Sequence, residues 1–425
     1  MQTTRRGLLA WGTLGALGWG ARSALGAVSV SPKKRVGPDE TLVSIFLRGG
    51  ADGLSLVVPY GDDDYTRSRP TLALAGPKDG RASAQDRAVD LDGFFGLHPA
   101  LSPLLPLYRK GQMAIVPACG SGDQTRSHFE AMATMERGGF RDTGPASGWL
   151  TRHLQSAPWD NRSPLRAVAL GGILPATLQG TTGATALESV ADLRLLSPWA
   201  GRDAAIQRTL HELYGGRDTL GQAGQEALGV LRTLQSLTPA AMAPENGAIY
   251  PHDGLGLGLH QVACLIKSGV GLEAACLDQN GYDTHIAQGR GHGTLADCLH
   301  SLSGSLAAFA ADLGPKRWSR TTVVVLSEFG RRIDENSVAG TDHGRGGVLF
   351  ILGGHGIVGG KVHGQWPGLA PAQREGPGDV RVTTDYRDVL AEVITHRLGN
   401  PNVEAVFPGL TAESVGVIPR AEPLG

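Results

Sequence analysis

The chain is poor in cysteine, has no basic block outside its first residues, and carries no long apolar run beyond its opening segment. Its four cysteines, Cys119, Cys264, Cys276 and Cys298, show no C-x-x-C spacing, which excludes a zinc ribbon. Dispersed in this way they also declare no disulfide framework, and Cys276, inside an apolar run, reads as core. A net charge of −1 argues against sequence-independent nucleic-acid binding, so no nucleic-acid partner is expected. No segment after the opening one approaches the roughly 20 apolar residues of a spanning helix, so the mature chain is expected to lack an integral membrane segment. The G-x-S-x-G elbow of serine hydrolases is missing, and no internal repeat is visible.

Glycine, by contrast, is abundant: 62 of 425 residues, roughly twice the average share. It has no fixed period, and much of it follows apolar runs, where loops turn tightly at strand ends. The first residues, Thr4-Arg5-Arg6-Gly7-Leu8-Leu9, lead into a short apolar stretch from Leu8 to Trp19, with small residues at Ala24, Gly26 and Ala27. Paired arginines before a mild apolar core predict a twin-arginine signal peptide over residues 1–27. The expected destination is the periplasm or the exterior, and the Tat translocase is the expected export partner. Residues 28–425 then read as one domain of ordinary hydrophobic content.

Six short, nearly continuous apolar runs stand out: Thr41–Leu47, Gln112–Ala118, Leu165–Leu170, Gly271–Leu277, Thr321–Ser327 and Val348–Leu352. Such runs suit strands buried on both faces of a parallel sheet. Helix-period segments alternate with them, at Ser127–Arg137, Gln222–Ser236, Gly258–Lys267, Leu295–Leu313 and Asp385–Leu398. The alternation predicts an α/β, doubly wound chain. Residues 148–251 read as a mostly helical insertion or cap.

In open α/β sheets, ligands bind beyond the carboxyl ends of the strands. The predicted strands are followed there by polar phrases that contain Asp52; Thr125, Ser127 and His128; Asp283 and His285; Glu328 and Arg331; and finally Asp342, His343 and Arg345. Two chemistries suit this collection. One is a carboxylate/histidine site for one or two divalent metals, zinc, manganese or calcium. Ser127 or Thr125 would then be the nucleophile at a helix start, and Arg331, Arg345 and His128 would hold an anionic substrate. The other is a metal-free triad of Ser127, His285 or His343, and a carboxylate. The missing elbow favours the metal.

Each residue also has a plainer role. Ser127 with Glu130 forms a capping-box pattern, and Asp52-Gly53 suits a turn. Asp283 and His285 could brace one loop, and Arg331 and Arg345 could neutralise neighbouring carboxylates. His98, His153, His211, His260, His300 and His396 lie away from these phrases and read as structural.

The phrases FLRGGADGLSLVVPYGDDDY, FGLHPALSPLLPLY, TRSHFEAMATMERG, GYDTH, VVVLSEFGRR, TDHGRGGVLFILGG and TTDYRDVLAEV, in this order between Thr41 and Gly399, resemble the exported bacterial family known as domain of unknown function 1501. The resemblance implies an alkaline phosphatase-like, sulfatase-like α/β fold: a large, mostly parallel sheet between helices with metal ligands at strand ends. It casts Asp52 as the first-strand metal aspartate, Ser127 or Thr125 as nucleophile, Asp283 and His285 as a ligand pair, and His343 as the late histidine. It departs from the superfamily at Glu328-Phe329, where an Asp-His pair is usual, and in the tighter spacing of Asp283 and His285: either the second metal is absent, or Asp342 or His128 supplies the missing ligand, or the site has decayed. The expected activity is metal-dependent hydrolysis of a phosphate or sulfate ester, on an anionic small molecule or polymer. The rival expectation is a non-catalytic exported binding protein that keeps the fold.

Overall fold

A computed structural model describes residues 40–139, 144–180, 183–190, 203–216, 218–235 and 242–419. The predicted signal peptide lies outside the described residues.

Among the described residues nine strands form one large sheet: β1 (Thr41–Leu47), β2 (Met113–Gly120), β3 (Ala167–Leu170), β4 (Ala184–Leu187), β5 (Ala274–Gln279), β6 (Thr321–Ser327), β7 (Gly347–Gly353), β8 (Lys361–Val362) and β9 (Thr384–Asp385). The order is β8-β2-β7-β6-β1-β5-β3-β4, with β9 also on β2. All neighbours run parallel except β7, which is antiparallel to both β2 and β6. The expected architecture, a large and mostly parallel sheet flanked by helices, is therefore present.

Strand alternation explains the two cores. Val43 and Ile45 of β1 and Val323 and Val325 of β6 point to one face, where they pack with Leu255, Leu259 and Val262 of the helix Gly254–Lys267 and with Leu299, Leu306 and Phe309 of the helix Thr294–Trp318. Leu42, Phe46, Val324 and Leu326 point to the opposite face, against Trp149 and Leu150 of the helix Trp149–Ser156 and Val389 and Leu390 of the helix Tyr386–Glu392. With both faces covered, the strands must be apolar throughout, which is why they read as runs.

The segment 148–251 is a cap only in part. It supplies β3 and β4, and β3 pairs in parallel with β5, so part of it is built into the sheet. Its helices include Trp149–Ser156, packed on the sheet, and Asp203–Leu213 and Thr219–Gln235. All four cysteines are free thiols, and Cys276 lies in the core as expected. Among the described residues no helix is long and apolar enough to cross a membrane.

One consequence of the topology positions the site. The strands β1, β2, β5 and β6 end at the same edge of the sheet, and the antiparallel β7 begins there. The loops after Leu47, Gly120, Gln279 and Ser327, and the loop before Gly347, converge on that edge.

Candidate metal centre

Asp283 lies in the loop after β5 and is the hub of this edge. Its Oδ1 is 3.1 Å from His285 Nε2, 3.3 Å from His343 Nε2 and 3.4 Å from His128 Nε2. His285 Nε2 and His343 Nε2 are themselves 2.8 Å apart. Ligand atoms of His128, Asp283 and His343 all lie within 4.8 Å of one another.

The far side of each imidazole is tied to an oxygen. His128 Nδ1 lies 2.7 Å from Glu328 Oε1, His285 Nδ1 3.2 Å from Asp342 Oδ1, and His343 Nδ1 2.8 Å from the carbonyl oxygen of Arg126. In each pair the oxygen accepts, which assigns the proton to Nδ1 and leaves a lone pair on Nε2. The ligand atoms of His128, Asp283 and His343 thus lie together, with His285 Nε2 beside those of Asp283 and His343. His128 Nε2 is buried without a hydrogen-bond partner among the described residues, an acceptor left open to a water or a cation. Imidazole nitrogens backed by carboxylates or carbonyls are the usual surroundings of zinc. Calcium, which takes oxygen ligands, suits this donor set poorly.

Electrostatics follow from the same contacts. Burial pushes the Asp283 carboxyl up, but the hydrogen bond and charge of Arg331, with help from His343, hold it down at about 2. The hydrogen bond to Glu328 raises His128 against the effect of burial. Burial lowers His343. Glu328 is buried, yet the bond from His128 and backbone N–H groups keep it below the usual carboxylate range.

Several residues take roles other than those the sequence suggested. Asp52 does not join the centre. It is fully buried, its two oxygens accept from Arg69 Nη1 (2.6 Å) and Nη2 (2.9 Å), and Oδ2 also accepts from Ser55 Oγ and Gln288 Nε2. With both oxygens occupied it is an ion-pair partner and no ligand. Glu328 and Asp342 stand behind His128 and His285 and orient them, Glu328 also accepting from Gly49 N–H at 2.8 Å. His128, expected to touch substrate, instead aims Nε2 at Asp283 with the other imidazoles.

Arg331 is no anion clamp. It is buried, and it donates from Nε to Gly50 O (2.6 Å), from Nη1 to Thr341 O (2.7 Å), and from Nη2 to Gly49 O, Tyr282 O (3.0 Å) and Asp283 Oδ1 (2.6 Å). It ties three of the converging loops together. Arg345 pairs with Glu375 and donates to Ser121 O, so it too is largely committed. It lines a small cleft with Ser121, Asp123, Thr125, Glu328 and Phe329.

The helix His128–Arg137 opens at Ser127, whose hydroxyl makes no capping hydrogen bond. In place of the expected capping box, the Thr125 hydroxyl donates to Glu130 Oε2 at 2.8 Å and accepts from Ser127 N–H. Ser127 is left exposed with an uncommitted hydroxyl, beside His128. Sequence reasoning missed Arg69, 17 residues beyond its partner Asp52, and the Arg126 carbonyl, since neither carries a local signal.

A family model described as a protein of unknown function (DUF1501) matches residues 39–401. No curated protein matches. Among solved structures, the lipoteichoic acid synthase LtaP from Listeria monocytogenes is similar at 8% identity and a TM-score of 0.33, covering 89% of this chain and 74% of that one. Alkaline phosphatase from the Antarctic bacterium TAB5 is similar at 10% identity and a TM-score of 0.29, covering 75% of this chain and 92% of that one. At these scores the likeness is one of coarse outline. The match across residues 39–401 makes the chain a member of the DUF1501 family.

Proposed function

We propose that the chain is a metal-dependent hydrolase of phosphate or sulfate esters, with one divalent transition metal, preferably zinc, held by His128, His285, His343 and Asp283. The observation that carries this is the convergence of three imidazole Nε2 atoms on Asp283 Oδ1, each with Nδ1 tied to a fixed oxygen. Imidazole-rich sets favour zinc over oxygen-seeking ions. Bound there, the metal supplies Lewis acidity toward an ester oxygen and toward a nearby hydroxyl. Glu328, Asp342 and the Arg126 carbonyl keep the three rings turned to the centre. Arg331 fixes Asp283 and the loops around it. Ser127, free of capping duty and next to His128, is the proposed nucleophile; its oxygen forms the new bond to phosphorus or sulfur as the ester oxygen departs with a proton. Water then releases the acid and restores the hydroxyl. Thr125, bonded to Glu130, is the poorer nucleophile.

A second reading, an exported binding protein without catalysis, draws support from Arg331: its guanidinium occupies Asp283 Oδ1 and gives the hub a resident cation. Metal analysis of protein expressed with added zinc separates the two. The hydrolase reading expects about one tightly held ion per chain, lost in Asp283→Ala and His343→Ala, and turnover of aryl phosphates or aryl sulfates that Ser127→Ala abolishes. Metal-free protein, or turnover indifferent to all three substitutions, would overturn it.

A further inference from the structure

Among the described residues eight large apolar side chains stand in solvent, and three of them neighbour residues of the candidate centre along the chain. Phe129, 84% exposed, directly follows His128. Ile286, 71% exposed, directly follows His285. Val338, 51% exposed, lies in the loop that leads to Asp342 and His343.

Ile286 and Val338 are not on slack chain. Their loops are stapled together: Ala287 N–H donates to Val338 O at 3.0 Å, Gln288 N–H to Ala339 O at 2.9 Å, and Thr341 N–H to Thr284 O at 3.1 Å. The Asn336 amide adds a bond to His285 O at 2.8 Å. Ala287 and Ala339, beside these side chains, both hold positive φ, 47° and 53°, a conformation alanine enters only where its surroundings impose it. Gly340 packs so closely on His285 O that a Cβ there would come within 2.1 Å. The sequence therefore commits backbone geometry to holding Ile286, the residue after His285, and Val338, four residues before Asp342, outward.

Apolar surface fixed beside a polar centre gains free energy when an apolar group covers it. We propose that the ester acted on at this centre is amphiphilic: its anionic phosphate or sulfate head meets His128, His285, His343 and Asp283, and an aryl or alkyl substituent lies on Phe129, Ile286 and Val338. This inference rests on the metal reading above and adds the substrate class. Phe129 and Ile286 become specificity-determining residues, acting on the substituent and not on the reacting atoms.

The test uses zinc-loaded full chain and two non-hydrolysable probes, methylphosphonate and octylphosphonate, with binding measured by calorimetry and metal by elemental analysis. Octylphosphonate is expected to bind at least about tenfold more tightly, since burying only a few methylenes suffices for that factor. Phe129→Ser and Ile286→Ser should each erase much of the difference while methylphosphonate affinity and zinc content stay unchanged. A zinc-loaded chain that binds both probes equally overturns the amphiphilic substrate alone, as does a preference that survives both substitutions. A chain that holds no zinc and binds neither probe overturns the metal reading and this inference together.

Discussion

His128 and Glu328 are 200 residues apart in sequence, and their Nδ1 and Oε1 atoms meet at 2.7 Å. The carboxylate is buried at the end of β6 and the imidazole opens the helix after β2, so the contact exists only because those strands lie in one sheet with β7 between them. It fixes which nitrogen of His128 faces Asp283.

That contact predicts a graded loss of metal. Glu328→Gln keeps an acceptor for Gly49 N–H but removes the charge that orients His128. Zinc affinity, measured by chelator competition, should fall roughly 10- to 100-fold, the usual effect of removing a partner behind a ligand. Unchanged affinity would show that Glu328 does not set the ring.

Asp52 should behave as a structural residue. Asp52→Ala leaves the Arg69 guanidinium buried and unpaired, which costs about 3–5 kcal/mol. Denaturant midpoints should drop accordingly, while the folded fraction binds zinc with its original stoichiometry. Lost stoichiometry with intact stability would restore Asp52 as a ligand.

Acid should destabilise the fold through two histidines remote from the centre. His98 Nδ1 accepts from Ala100 N–H at 3.0 Å, and His153 Nδ1 lies 3.1 Å from the Asn400 amide nitrogen, which donates to it. Both rings are buried, and burial lowers each to about 4. A lowered histidine binds its proton more readily in the unfolded chain, so its stabilisation is complete above pH 6.5 and is lost as pH falls toward 4. The expected loss is about 3 kcal/mol per histidine. Denaturation at pH 7.5 and pH 4.5 should show this slope, and His98→Gln with His153→Gln should flatten it. A slope that persists in the double variant assigns it to other groups.

Gly49 should tolerate no side chain. Its φ is +116°, and an added Cβ would sit 2.5 Å from the backbone nitrogen of Asp283. Gly49→Ala should therefore push the Asp283 loop out of place and lower zinc affinity more than tenfold, beyond the strain of positive φ alone. Wild-type affinity in this variant would show that the loop can yield without disturbing the ligands.

The sequence disclosed strands better than partners. Thr41–Leu47 and Thr321–Ser327 were legible to the residue, because burial on both faces leaves a continuous apolar trace. Gly271–Leu277 reads early by comparison with the observed Ala274–Gln279, since the strand continues through polar Asp278 and Gln279, which pair with Phe46 and Leu47. β4, an ATAL segment of small residues, leaves almost no trace, which is why residues 148–251 read as a cap. At the centre, the polar phrases after the strands include Asp283, His285 and His343, which the structure brings together. They do not tell which carboxylate faces the Nε2 atoms and which lies behind a ring. Glu328 and Asp342 lie on the Nδ1 side of His128 and His285, and Asp52 pairs with Arg69, a partner no spacing rule announces.

The antiparallel strand β7 has a consequence for assembly. Because it enters the shared edge where its neighbours leave it, the loops meeting at Asp283 are drawn from Gly49 through Arg345, across most of the described chain. No fragment that lacks His128 or His343 can gather all three imidazoles. An ion captured at this point would report a finished sheet, and would hold together two stretches of polypeptide made far apart in time.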